Sequence, residues 1–109
     1  MIPFAVLLTN AAARDLDELY GYIAEHDAPR KANFALKQIE KVFTKLSEFP
    51  ERGTYPKELL AIGIREYREV FFKPYRIIYR VMDKNVYILL IVDGRRDMQS
   101  LLQRRLLDA

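Results

Sequence analysis

Residues Pro74 to Asp97 read PYRIIYRVMDKNVYILLIVDGRRD, and this stretch decides the fold. Tyr75, Ile77, Tyr79 and Val81 alternate with Arg76, Ile78 and Arg80, the period of a half-buried strand with a mostly apolar face and an arginine-bearing one. Asp83-Lys84-Asn85 is a polar break suited to a hairpin turn. Val86 to Val92 is then an almost unbroken apolar run, which predicts a central strand. Asp93-Gly94-Arg95-Arg96-Asp97 places two more arginines where the chain must turn at the sheet edge.

Immediately upstream, Arg65 to Phe72 (REYREVFF) predicts another strand, turned back at Lys73-Pro74, where proline fits a hairpin connection better than a strand interior. Further out, Phe4 to Leu8 is a short apolar segment suited to a first strand, and Thr9 or Asn10 can cap the helix that follows. Leu16, Leu19, Tyr20 and Ile23 fall at helical spacing, opposite Arg14, Asp15, Asp17, Glu18 and Glu25. His26-Asp27-Ala28-Pro29 breaks this helix, and Pro29 suits the first turn of the next, where a missing amide costs nothing. Ala32, Ala35, Leu36, Ile39, Val42, Phe43 and Leu46 make the second stripe. It ends near Phe49-Pro50, because the residue before a proline is pushed out of helical geometry. Glu51 to Gly63 reads as a loop with a short turn at Lys57 to Ala61. At the other end, Asp97 can cap a short final helix whose Met98, Leu101, Leu102 and Leu106 share a face beside Arg104 and Arg105.

The order is strand, helix, helix, three strands, short helix. It predicts one α+β domain over residues 1–109: two layers, with a helical hairpin packed on a small antiparallel β-sheet. The sheet's other face is expected to be partly open and to carry Arg68, Arg76 and Arg80 if the register keeps them on one side, with Arg95 and Arg96 at the rim.

Composition narrows the function. Half of the 109 residues are hydrophobic, enough for a core without staples. Cysteine is absent, which removes disulfides and thiolate metal sites and suits a reducing cytosol. The opening MIPFAVLLTN lacks the basic start of a signal peptide, and no apolar run approaches the roughly 20 residues of a membrane helix. A cytoplasmic protein is expected. His26 is the single histidine and sits at a helix break, so a nucleophilic triad or an ordinary zinc site has no support. There is no distinctive paired-carboxylate motif and no Gly-rich phosphate loop, so neither cofactor nor metal is expected.

The arginines are the remaining candidates. A guanidinium stays charged and matches phosphate or carboxylate with a planar fork of donors, so several on one face make an anion-binding surface. The same spacing equally fits strand arginines paired with Glu66 and Glu69. Tyr67, Tyr75, Tyr79 and Tyr87 are read as core or cross-strand packing, and the leucine stripe of the last helix as packing.

Arg65 to Phe71, the YRIIYRV strand from Tyr75, the run Val86 to Val92 and the turn Gly94-Arg95-Arg96-Asp97 together resemble the RelE/ParE superfamily of bacterial toxin–antitoxin toxins, and most of all its ParE-like branch. The resemblance covers nearly the whole chain, including the two-helix opening and the Phe49-Pro50-Glu51-Arg52-Gly53 loop. It implies a helical hairpin on a small antiparallel sheet, as the periodicities do. For a RelE-like ribosome-dependent mRNA endoribonuclease, the resemblance would make Arg76, Arg95 and Arg96 catalytic. Many such nucleases carry a tyrosine or histidine where this chain offers Met98, Leu101 or Leu102, and RelE carries lysines on the first meander strand where this chain offers only Arg68. For a ParE-like toxin, which poisons DNA gyrase by binding, it implies no catalytic set. It implies instead a cognate ParD-like antitoxin, with Arg68, Arg76, Arg80, Arg95, Arg96 and exposed apolar positions among Leu101, Leu102, Leu106 and Leu107 forming the target or antitoxin surface. A ParE-like gyrase inhibitor is the leading expectation. The alternatives are the ribonuclease and a non-toxic antitoxin-binding module.

Overall fold

A computed structural model describes residues 3–107. The chain runs β1 (Ala5–Leu8), α1 (Asn10–His26), α2 (Pro29–Thr44) with a 3₁₀ turn at Lys45–Ser47, α3 (Lys57–Leu60), β2 (Arg68–Phe72), β3 (Tyr75–Met82), β4 (Asn85–Asp93), α4 (Met98–Leu102) and a closing π-helical turn at Gln103–Leu107. The local signals hold where they were read. Thr9 Oγ1 accepts from the Ala12 amide at 3.1 Å, Pro29 opens α2, and Asp97 caps α4 by accepting from the Ser100 amide at 3.2 Å. The strand before the Lys73-Pro74 turn is shorter than its alternation suggests. It begins at Arg68, and Tyr67 just before it is buried.

The meander β2–β3–β4 is antiparallel, and β1 lies parallel against β4, giving a mixed four-stranded sheet in the order β1-β4-β3-β2. The α1–α2 hairpin carries the chain from one edge strand to the other and covers one face. Ala12, Ile39, Phe43 and Leu46 there meet Val70, Ile77, Tyr79, Val86 and Ile91 of the sheet. Each of the largest of these buried side chains contributes about 1.5–3 kcal/mol relative to exposure.

The second face is not open, contrary to the expectation. Leu59 of α3 and Met98, Leu101 and Leu102 of α4 close over Ile78, Leu90 and Val92 in a second core. A bulge in β4 makes this double burial possible. Ile78 faces Leu90 while Tyr79 faces Ile88, so Leu89 is an extra residue. Before it Val86 and Ile88 point to the helical hairpin; after it Ile91 does, and Leu90 and Val92 point to the second core. The unbroken apolar run Val86–Val92 is the sequence form of a strand buried on both faces. No helix among the described residues is long and apolar enough to cross a membrane.

Candidate functional site

The strand arginines do not share one surface. Arg68 alternates with Val70 and Phe72 on the helical side of β2. Its Nη1 donates to the Gly53 carbonyl at 2.9 Å, and its guanidinium lies 4.6 Å from the Tyr55 ring centroid, so it holds the loop after α2. Arg76 and Arg80 do point to the opposite face, and only Arg76 is paired there among the described residues. Arg80 lies 5.7 Å over the Tyr67 ring. Arg76 is buried: its Nε donates to Glu69 Oε1 at 2.7 Å, and its two Nη atoms donate to the two oxygens of Glu58 at 2.8 Å each. The pairing resembles the alternative open in the sequence, strand arginine with Glu69, and α3 adds a carboxylate from the loop.

The electrostatics of this cluster follow from burial. The fork of Arg76 holds Glu58 below the usual glutamate range. Glu69 lies deeper, and loss of hydration pushes it up against the pull of Arg76. Hydrogen bonding to Glu58 pushes the guanidinium further up. Gly94 leaves room for the arginine stem, since a Cβ there would lie 2.7 Å from Arg76 Cδ. The cluster ties α3, β2 and β3 together, and each of the three guanidinium nitrogens of Arg76 already donates to a carboxylate.

Leu101 and Leu102 are buried in the second core and Leu106 packs partly against it, which corrects the expectation that they are exposed for a partner. With Leu59 and Met98 they cover Ile78, Leu90 and Val92. Leu107 remains 40% exposed.

Arg95 and Arg96 sit as expected at the sheet's rim, both exposed. Arg95 Nε donates to Asp93 Oδ1 at 2.9 Å, which holds the Asp93 carboxyl below its usual range. The Arg96 side chain makes no ion pair or hydrogen bond among the described residues. Both arginines border a groove of about 470 Å³ between α1 and the end of β4, lined also by Leu19, Tyr22, Tyr75 and Ile91. A second groove of about 260 Å³ continues it along α1 toward α4, sharing Asp15, Glu18 and Arg96 and adding Arg14, Arg104 and Arg105.

One interaction at this groove has no signal in the sequence. Asp15, on the polar face of α1, accepts both Nη atoms of Arg105 at 2.9 Å and the Ile91 amide at 3.1 Å, and Arg105 Nη2 also donates to the Leu89 carbonyl at 2.9 Å. β1 pairs no further along β4 than Ile88. The two side chains therefore occupy the backbone groups that a longer β1 would have bonded. Ninety residues separate them, so spacing cannot reveal the pair. No group of three or more His, Cys, Asp or Glu among the described residues could hold a metal ion.

The family model described as "ParE toxin of type II toxin-antitoxin system, parDE" matches residues 6–98. Toxin ParE3 of Caulobacter vibrioides is 32% identical over 100 residues, covering 92% of this chain and 96% of that one. Among solved structures, a chain of the chromosomal ParDE system of P. aeruginosa superposes with a TM-score of 0.70 at 23% identity, covering 85% of this chain and 98% of that one. A chain of the RelBE2 toxin–antitoxin complex of Mycobacterium tuberculosis gives 0.58 at 28% identity, covering 85% and 93%. A mutant of E. coli RelE in the free state gives 0.62 at 14% identity, covering 95% and 99%, a likeness of fold alone.

Proposed function

Because the chain belongs to the ParE toxin family of type II toxin–antitoxin systems, we propose that it inhibits DNA gyrase by binding and is neutralised by a cognate ParD-like antitoxin. The observation that carries this reading is the state of Arg76. An RNA-cleaving relative would need the strand arginine to orient phosphate, and here Glu58 and Glu69 take all three of its donating nitrogens in a buried cluster. Binding makes no such demand. The surface offered to the target is the rim: Arg95 and Arg96, the exposed wall of α1 beside them, and Leu107 of the closing turn. The antitoxin reading is supported by the solved relatives, one a ParDE system and one a RelBE2 complex. An acidic or amphipathic antitoxin segment suits the basic rim.

The test is supercoiling by purified gyrase with the folded protein titrated in, followed by a denaturing step that reveals cleaved DNA. Inhibition with trapped breaks, weakened in Arg95→Ala/Arg96→Ala without loss of folding, supports the reading. No effect at large excess on gyrase from the source cell sinks it. Cut transcripts in stalled ribosomes would then restore the ribonuclease, and the absence of both effects would leave an antitoxin-binding module.

A further inference from the structure

The paired grooves along α1 hold most of the chain's charge imbalance. Arg14, Arg95, Arg96, Arg104 and Arg105 line them against Asp15, Glu18 and Asp93, an excess of two positive charges in a chain whose net charge is +3. Two of the three carboxylates are already neutralised, Asp15 by Arg105 and Asp93 by Arg95. The side chains of Arg14, Arg96 and Arg104 make no ion pair or hydrogen bond among the described residues. Asp97 feels Arg104 only through space, its own oxygens being taken by Ser100. At the far end of the same trough Tyr22 is 62% exposed and its ring stacks on His26, and Tyr75 lines the same groove.

From this arrangement we infer that the trough binds single-stranded nucleic acid, with the phosphodiester backbone on Arg14, Arg96 and Arg104 and a base against Tyr22. Free guanidinium forks match phosphate oxygens, and an exposed aromatic face accepts any base. An acidic peptide would satisfy the arginines and give the tyrosines nothing to stack on. A duplex keeps its bases stacked on one another and leaves no free base face for Tyr22. Glu18 is the one groove carboxylate with no cation bonded to it among the described residues, so it opposes the ligand. The inference stands on the trough alone and does not require the gyrase reading.

The experiment is fluorescence anisotropy of the full chain with labelled oligo-dT and oligo-rU, each titrated over a range of salt. Binding of either strand is expected, and the two arms separate DNA from RNA as the preferred source of the same chemistry. Arg104→Gln should weaken binding at least fivefold and reduce the steepness of the log–log salt dependence by about 0.7, one phosphate contact on a single strand. Tyr22→Ala should weaken it about tenfold with the salt dependence unchanged, as loss of a stacked base requires. Glu18→Gln should tighten it. Thermal unfolding confirms that each variant is folded. The inference is overturned if wild-type protein binds neither strand at low salt, if a duplex or a poly-glutamate chain competes as well as oligo-dT, or if Glu18→Gln and Arg104→Gln change nothing.

Discussion

Arg76 and Glu58 stand eighteen residues apart in sequence and meet through two parallel hydrogen bonds of 2.8 Å, fork to fork, under the short helix α3. With Glu69 as third member, the arrangement is a buried charge cluster, and such a cluster costs most when one partner is removed. Arg76→Ala leaves Glu69 buried without its cation and should lower the unfolding free energy by about 3–5 kcal/mol in urea titration. Loss of toxicity in that variant would then report unfolding and not chemistry. Circular dichroism on the same sample distinguishes the two.

The two glutamates of the cluster give opposite pH dependences. Glu58 is held below the ordinary glutamate range, so its stabilisation is present above that range and is lost as the pH falls through the lowered value. Glu69 is raised, so the folded state holds its proton at a pH where the unfolded chain has released it, and the fold weakens as the pH rises through that window. Stability measured between pH 3 and pH 7 should therefore change less steeply at the acid end in Glu58→Gln. In Glu69→Gln the loss of stability above pH 4.5 should disappear.

Glycine matters here at points of close approach. A Cβ at Gly53 would lie 2.6 Å from both the Glu69 carbonyl and the Tyr79 hydroxyl, which itself accepts the Gly53 amide at 3.0 Å. Gly53→Ala should destabilise by about 1–3 kcal/mol, the usual cost of forcing a methyl group into a packed site. At Gly21, inside α1, nothing lies within 4 Å of an added Cβ. Gly21→Ala should raise stability by about 0.4–1 kcal/mol. Opposite shifts of the melting temperature check the pair.

The second core is testable through two leucines close in sequence. Leu102 is 1% exposed and Leu107 40%. Leu102→Ala should cost about 2–5 kcal/mol and Leu107→Ala less than about 0.5 kcal/mol. Equal effects in denaturant titration would mean that α4 does not pack on Leu90 and Val92.

Asp15→Asn tests the cover over the β4 edge. It removes the charge that faces Arg105 and weakens the acceptor of the Ile91 amide. Hydrogen exchange should speed up at Ile91 and through residues 101–107, while the amides of Ile77 and Ile78 keep their wild-type protection.

Local chemistry carried much of the fold into the sequence. Thr9, Pro29 and Asp97 mark helix starts because caps and first-turn prolines act within a few residues, and the stripe from Ala32 to Leu46 shows its period directly. The parallel placement of β1 was not legible, since pairing partners 80 residues apart leave no spacing to read. Nor was the closure of the second face. Leu101 and Leu102 share a visible stripe, yet what they pack on depends on β4 being buried on both sides, and the unbroken run Val86–Val92 was the clue. At the site, the two rim arginines followed from the turn that holds them. Arg68 was misplaced because its face depends on register with Tyr79, and Glu58 was invisible because a four-residue helix is too short to show a period.

The extra residue at Leu89 has a consequence for how such a protein diversifies. By turning β4 over halfway along, it commits Val86, Ile88 and Ile91 to one core and Leu90 and Val92 to the other. The middle of the molecule thus has little freedom to drift, and new specificity has to be written at the margins: on the outward side of α1, in the turn from Asp93 to Asp97, and along the final residues. A chain built this way can exchange partners while its scaffold stays still.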